Sequence, residues 1–125
     1  MTENQISSEI IGSAIEVHKQ LGPGLLESAY ETCLAFELRK KGFKVERQLA
    51  LPVIYKDVKL DAGYRIDLLV NDKVIVEVKS VDVLAPIHTA QILTYLKLKD
   101  LKLGLLINFN SVVVKDGIRR VVNNL

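Results

Sequence analysis

The sequence predicts an α/β (α+β) fold, a mixed β-sheet flanked by helices, formed as one domain over residues 1–125. Three observations predict it. Apolar residues recur at helical spacing through the first forty or so positions. Short alternating or apolar runs separated by turn residues fill the middle of the chain. A further helical pattern, followed by an almost wholly apolar run, closes it.

Each element has its own signal. From Gln5 to Gln20, Ile6, Ile10, Ile11, Ala14, Ile15 and Val17 keep helical spacing, and Leu21-Gly22-Pro23-Gly24 breaks the helix. A second helix begins near Leu25 and runs through Ala29, Cys33, Leu34 and Leu38 to Lys41, with Gly42 as its stop. Strands are expected at Phe43–Gln48, then at Leu51–Tyr55 and Val58–Asp61 around a Lys56-Asp57 turn. Tyr64–Val70 meets Lys73–Lys79 across Asn71-Asp72, a strong hairpin signal. Pro86 opens a helix that extends to about Lys99. Lys102–Phe109 reads as a strand covered on both faces, and a short last strand is expected at Ile118–Val122.

Composition narrows the class. At 49% hydrophobic and 26% charged residues, the chain is neither disordered nor fibrous. Its length allows a core that needs neither disulfides nor a structural metal. Cys33 is the sole cysteine, which excludes an internal bridge and a cysteine zinc cluster, and its helical context reads as small buried packing. The polar start Met1–Gln5 lacks the features of a secretory signal, and no apolar run approaches the ~20 residues of a membrane span. The expected compartment is the cytoplasm. Seventeen Lys and Arg against fifteen Asp and Glu give a net charge of +2. That balance does not itself indicate nucleic acid, but allows it where basic residues cluster.

The chemistry concentrates in the hairpin. Ile66–Val70 is apolar except for Asp67, and Val74–Lys79 is apolar until Glu77 and Lys79. Alternation along a strand puts Glu77 and Lys79 on one face, and the hairpin can bring Asp67 alongside them. Two carboxylates and an ammonium at the end of a buried sheet suit metal-assisted phosphodiester hydrolysis. Mg²⁺ takes hard oxygen ligands and commonly uses one or two carboxylates, which Asp67 and Glu77 can supply with the Val78 carbonyl as a third ligand. Lys79 would position the attacking water or stabilise the transition state. The bland alternative is an amphipathic strand whose Glu and Lys face water. Apolar surroundings count against it, because isolated buried charges are costly unless paired or bound to metal.

Helices add weaker signals. Glu27 lies in the first turn of the second helix, where the dipole favours an anion, and Tyr30 follows on the same face. A dipole-complementing Glu above a core Tyr explains them equally well. After Pro86, His88, Gln91 and Tyr95 share a stripe beside the packing face of Ile87, Ala90, Thr94 and Leu98. That stripe either reaches into a site or consists of ordinary boundary residues, and His88 alone reads more readily as a structural residue. Gly22-Pro23-Gly24 is not a phosphate loop, since it follows a helix and no Gly-Lys-Ser/Thr comes after it.

The stretch LGPGLLESAYE from Leu21 to Glu31 strongly resembles the signature of the GxxExxY proteins, with Gly24, Glu27 and Tyr30 at the named positions. The resemblance continues through Tyr64–Val70, Val76–Lys79, Ala90–Leu96 and Gly104–Phe109, and so covers nearly the whole chain. That family looks like a compact member of the PD-(D/E)XK superfamily, near its RecB-type branch. The resemblance implies a restriction-endonuclease-like core. It also implies Glu27 as the helical acid, Asp67 as the first strand carboxylate, Glu77 and Lys79 as the paired motif, and Gln91 and Tyr95 as the Q-x-x-x-Y helix.

The resulting expectation is a nuclease dependent on Mg²⁺, or Mn²⁺, acting on nucleic acid and on DNA first. Arg65, His88 and Tyr30 are candidate substrate contacts, and Arg39, Lys40, Lys41, Lys97 and Lys99 are candidate backbone contacts, although solvated surface explains each of these basic residues as well. The competing expectation is a non-catalytic nucleic-acid-binding or oligomeric scaffold with the same fold. A homodimer is expected under either.

Overall fold

The first helix begins earlier than its apolar spacing suggests, because Thr2 caps it. Thr2 Oγ1 accepts from Gln5 N–H, and Gln5 Oε1 accepts from Thr2 N–H, a reciprocal capping box that starts α1 at Glu3–Leu21. The computed structural model describes every residue, Met1–Leu125. After the Gly-Pro-Gly break comes α2 (Glu27–Lys40), and Gly42 at φ 92° stops it as expected. Phe43 turns into the core rather than opening a strand, so β1 spans Val45–Ala50.

A small excursion, β2 (Val53–Tyr55) and β3 (Val58–Leu60), folds back on itself at Lys56-Asp57, where both residues take positive φ. It forms its own two-stranded sheet. The main hairpin, β4 (Arg65–Val70) and β5 (Val74–Lys79), turns at Asn71-Asp72, both left-handed as a type I′ turn requires. Then come α3 (Pro86–Lys99), β6 (Leu103–Asn108), a 3₁₀ turn at Val114–Gly117 and β7 (Ile118–Val122).

The five-stranded sheet has the order β1-β4-β5-β6-β7. Only β5 and β6 are parallel, joined by the α3 crossover. The sheet is therefore mixed and flanked by helices, the α+β arrangement expected from sequence. Helices α1 and α2 cover one face, packing Ile6, Ile10, Tyr30 and Leu34 on Leu68, Val76, Leu105 and Phe109. Helix α3 covers the other, setting Ile92, Tyr95 and Leu96 on Leu69, Ile75 and Leu106. Coverage on both faces explains why β6 is buried throughout. No helix is long and apolar enough to cross a membrane.

Gly104 lets α3 approach β6 closely. A Cβ there would stand 2.5 Å from the Ile92 methyl Cγ2, inside a fully buried cluster. Gly104→Ala is expected to cost about 1–3 kcal/mol by overpacking, read as a lower midpoint in urea unfolding with an unchanged slope.

Candidate active site

The β4–β5 ladder runs back from the turn as far as the Leu68–Val76 pair. One residue further, side chains take over from backbone. Asp67 N–H donates to Glu77 Oε2 at 2.8 Å, and Val78 N–H donates to Asp67 Oδ2 at 2.8 Å. Each carboxylate is thus anchored by the other strand's main chain, and the two sit together where regular pairing ends. Glu77 Oε1 receives no hydrogen bond from the protein.

This proximity is electrostatically uphill. Glu77 is 3% exposed, and burial first, then the Asp67 charge, pushes its carboxyl up to about 8. Asp67 is also raised, chiefly by burial and further by Glu31, against the lowering effect of the Val78 N–H. Lys79, half-buried and in no salt bridge, holds both carboxylates down without cancelling these effects. Tyr95 is pushed up to about 12 by burial and then by the Glu77 charge, which places its phenol within electrostatic reach of the pair.

Such a donor set fits a hard divalent cation. A buried Glu77 beside a half-buried Asp67, whose charge opposes its ionisation, gains most from an ion between them, and one oxygen of Glu77 is free to bind it. No three His, Cys, Asp or Glu side chains converge on one point. An ion here would take Asp67 and Glu77 from the chain and complete its shell with carbonyl or water oxygens, which agrees with the coordination habit of Mg²⁺.

The other candidates separate. Glu27 is exposed, and its Oε2 accepts Ser80 N–H at 3.2 Å, which fixes the backbone just past Lys79. Gln91 and Tyr95 line one cavity on the α3 side. His88 Nδ1 accepts Ala85 N–H at 3.1 Å, so the ring caps α3. Arg65 Nη1 donates to the Tyr64 carbonyl and to Asp61, an engagement local to the foot of β4. Arg39 donates to the Val45 carbonyl, Lys41 pairs with Glu9, and Lys99 bears on Asp72. These, with Lys40 and Lys97, lie at the α2 and α3 ends nearest the Asn71-Asp72 turn, away from Lys79 at the opposite end of β5.

Tyr30 requires a correction as a substrate contact. It is fully buried and stacked on Phe109 at 4.6 Å, so its ring is closed to a ligand. Its hydroxyl donates to the Gly22 carbonyl at 2.6 Å and accepts Leu25 N–H at 3.1 Å, tying the Gly-Pro-Gly turn to α2. Tyr30→Phe should therefore not be silent. It is expected to lower stability by about 1 kcal/mol, measured by thermal melting.

Sequence reasoning passed over four residues here. Glu31, one turn beyond Glu27, is buried and is the helical carboxylate that bears on Asp67 and Glu77. Arg47 pairs with it at 2.9 Å. Gln48 Nε2 donates to Glu31 Oε1 and to Asp67 Oδ1 at 2.5 and 3.1 Å, from a backbone at φ 49°. The fourth is Asn108, buried opposite Lys79 in the β5–β6 register, whose amide holds both the N–H and the carbonyl of Val81. The i, i+4 spacing of Glu27 and Glu31 was the available signal for the first.

A sequence model of the PD-(D/E)XK nuclease superfamily matches residues 4–121. The chain belongs to that superfamily. Comparisons with curated proteins and with solved structures return no significant match. The superfamily suggests a nuclease whose substrate is nucleic acid and whose chemistry uses a divalent metal.

Proposed function

We propose that this protein is a Mg²⁺-dependent nuclease, with Mn²⁺ able to substitute, that hydrolyses phosphodiester bonds of DNA, and that it is a GxxExxY-type member of the RecB-like branch. One observation carries the reading. Asp67 and Glu77 are locked side by side through each other's strand at the cost of raised pKa values, with the uncommitted Lys79 ammonium on the same face. A fold gains nothing from that repulsion unless a cation resolves it.

In this reading Asp67 and Glu77 hold the ion, with the Val78 carbonyl as a further ligand. Such an ion supplies charge neutralisation at the phosphate and acidifies water. Lys79 orients the attacking water or stabilises charge developing on the phosphate. Gln48, itself held by Glu31, fixes the Asp67 carboxylate from β1, and Tyr95, which shares its α3 cavity with Gln91, lies within electrostatic reach of Glu77. Self-association as a homodimer belongs to the same reading, and light scattering of the wild-type protein reads it directly.

The test is a cleavage panel of single-stranded, duplex and flapped DNA and of RNA, with Mg²⁺ and with Mn²⁺. Wild type should cut at least one DNA, and Asp67→Asn, which keeps an acceptor for Val78 N–H, should cut none. Tight Mn²⁺ binding with no cleavage anywhere in the panel would favour the scaffold instead.

A further inference from the structure

The geometry points to a nucleobase pocket beside the carboxylate pair, formed by Tyr64, Ile87, Gln91, Tyr95 and Leu98, that takes an unstacked base and so selects single-stranded or locally unpaired nucleic acid. The inference rests on the nuclease reading and adds a substrate class to it.

The pocket is a cavity of about 560 Å³ between the start of β2, the residue preceding β4 and the outer face of α3. Its lining is mostly apolar and contains no charged side chain. Tyr64, 44% exposed, presents its ring edge-on to Tyr95, with centroids 6.1 Å apart. Ile87 is 69% exposed above it. Aromatic and aliphatic walls of this kind suit the faces of a heterocycle, and every base has such a face.

Two features separate a base from a generic apolar occupant. The Gln91 side chain makes no hydrogen bond within the protein and lines this pocket, leaving a carboxamide donor and acceptor for a base edge. Tyr95 is shared: its ring lines the pocket, while its phenol is on the side of the sheet that carries Glu77. A strand whose phosphate sits at Asp67 and Glu77 therefore has a neighbouring base delivered to Tyr95 and Tyr64. A base can turn into the pocket only after leaving its stack, which costs least in a single strand.

The experiment uses the full chain with Mn²⁺ in a Lys79→Ala background, so that bound strands stay intact. Anisotropy is read on a fluorescein-labelled single-stranded oligodeoxynucleotide, on its duplex, and on the same strand carrying an abasic tract. The single strand should bind tightest, and Tyr64→Ala should weaken it by about tenfold, the size of one lost base–aromatic stack. On the abasic strand Tyr64→Ala should change nothing. Tyr55→Ala, on the exposed hairpin but outside the pocket, should change neither. Equal effects of Tyr64→Ala on intact and abasic strands would overturn the pocket, as would no effect on either. So would a Tyr64→Ala variant that altered only self-association in analytical ultracentrifugation, since a second copy would then be the occupant. If wild type with Mg²⁺ cuts DNA and Tyr64→Ala cuts every substrate equally well, the pocket falls and the nuclease reading stands. If no nucleic acid is bound or cut, both fall.

Discussion

Lys79→Ala is expected to reduce metal-dependent cleavage by about 10²–10³ while leaving the fold and much of the cation affinity in place. The half-buried Lys79 side chain makes no salt bridge and no hydrogen bond within the protein, so its loss leaves no partner unsatisfied. Both carboxylates and their main-chain anchors survive the change. What disappears is the ammonium that orients water or meets charge on the phosphate. A secondary effect follows from charge. Lys79 holds both carboxyls down, so without it the pair ionises less readily and cation binding shifts to higher pH. Asp67→Asn should behave differently, losing Mn²⁺ binding and cleavage together, because a site with two carboxylates has none to spare. Titration calorimetry with Mn²⁺ beside a cleavage assay separates the two variants. A Lys79→Ala protein that cuts at the wild-type rate would refute the proposed role.

Much of this architecture was legible because the local signals agreed with one another. Pro86 and the spacing after it gave α3 its observed start and end, and Asn71-Asp72 gave the hairpin whose far side carries Asp67 and Glu77. The shared face of Glu77 and Lys79 followed from strand alternation alone. What was not legible depends on contacts between segments distant in sequence. The Leu51–Tyr55 run reads as one strand, yet Leu51 N–H bonds the Tyr64 carbonyl and regular structure begins only at Val53, beyond Pro52. Tyr30 reads as a possible contact because its burial depends on Phe109, about eighty residues away, and on the path of the Gly-Pro-Gly turn. Gln48 was the hardest to anticipate. Its left-handed backbone interrupts β1 opposite Asp67, and a strained position of that kind is set by its surroundings rather than by the residue itself.

The pH dependence of stability gives the other large effect, and it reads the metal site without any cleavage. Glu77 has a folded-state pKa of about 8 against 4.5 for the unperturbed group. The native state therefore binds more protons than the unfolded state between those values. The contribution of this group to stability is full below about pH 4.5 and is lost as pH rises toward 8, the direction that Asp67 reinforces. The loss from this group is on the order of a few kcal/mol. Metal-free wild type should accordingly melt at lower temperature at pH 8 than at pH 5.5. Mn²⁺ should raise the melting temperature most at the alkaline end, where it no longer has to displace a proton. Glu77→Gln keeps an acceptor for Asp67 N–H and removes the charge. Without metal, that variant should be more stable than wild type at pH 8, lose most of the pH slope, and respond little to Mn²⁺. The measurement is a set of melting curves from pH 5 to 8, with and without Mn²⁺, for both proteins. A metal-free wild type whose stability rises over that range, or a Glu77→Gln variant that keeps the full Mn²⁺ response, would show that the acid pair is ordinary surface charge rather than a cation site.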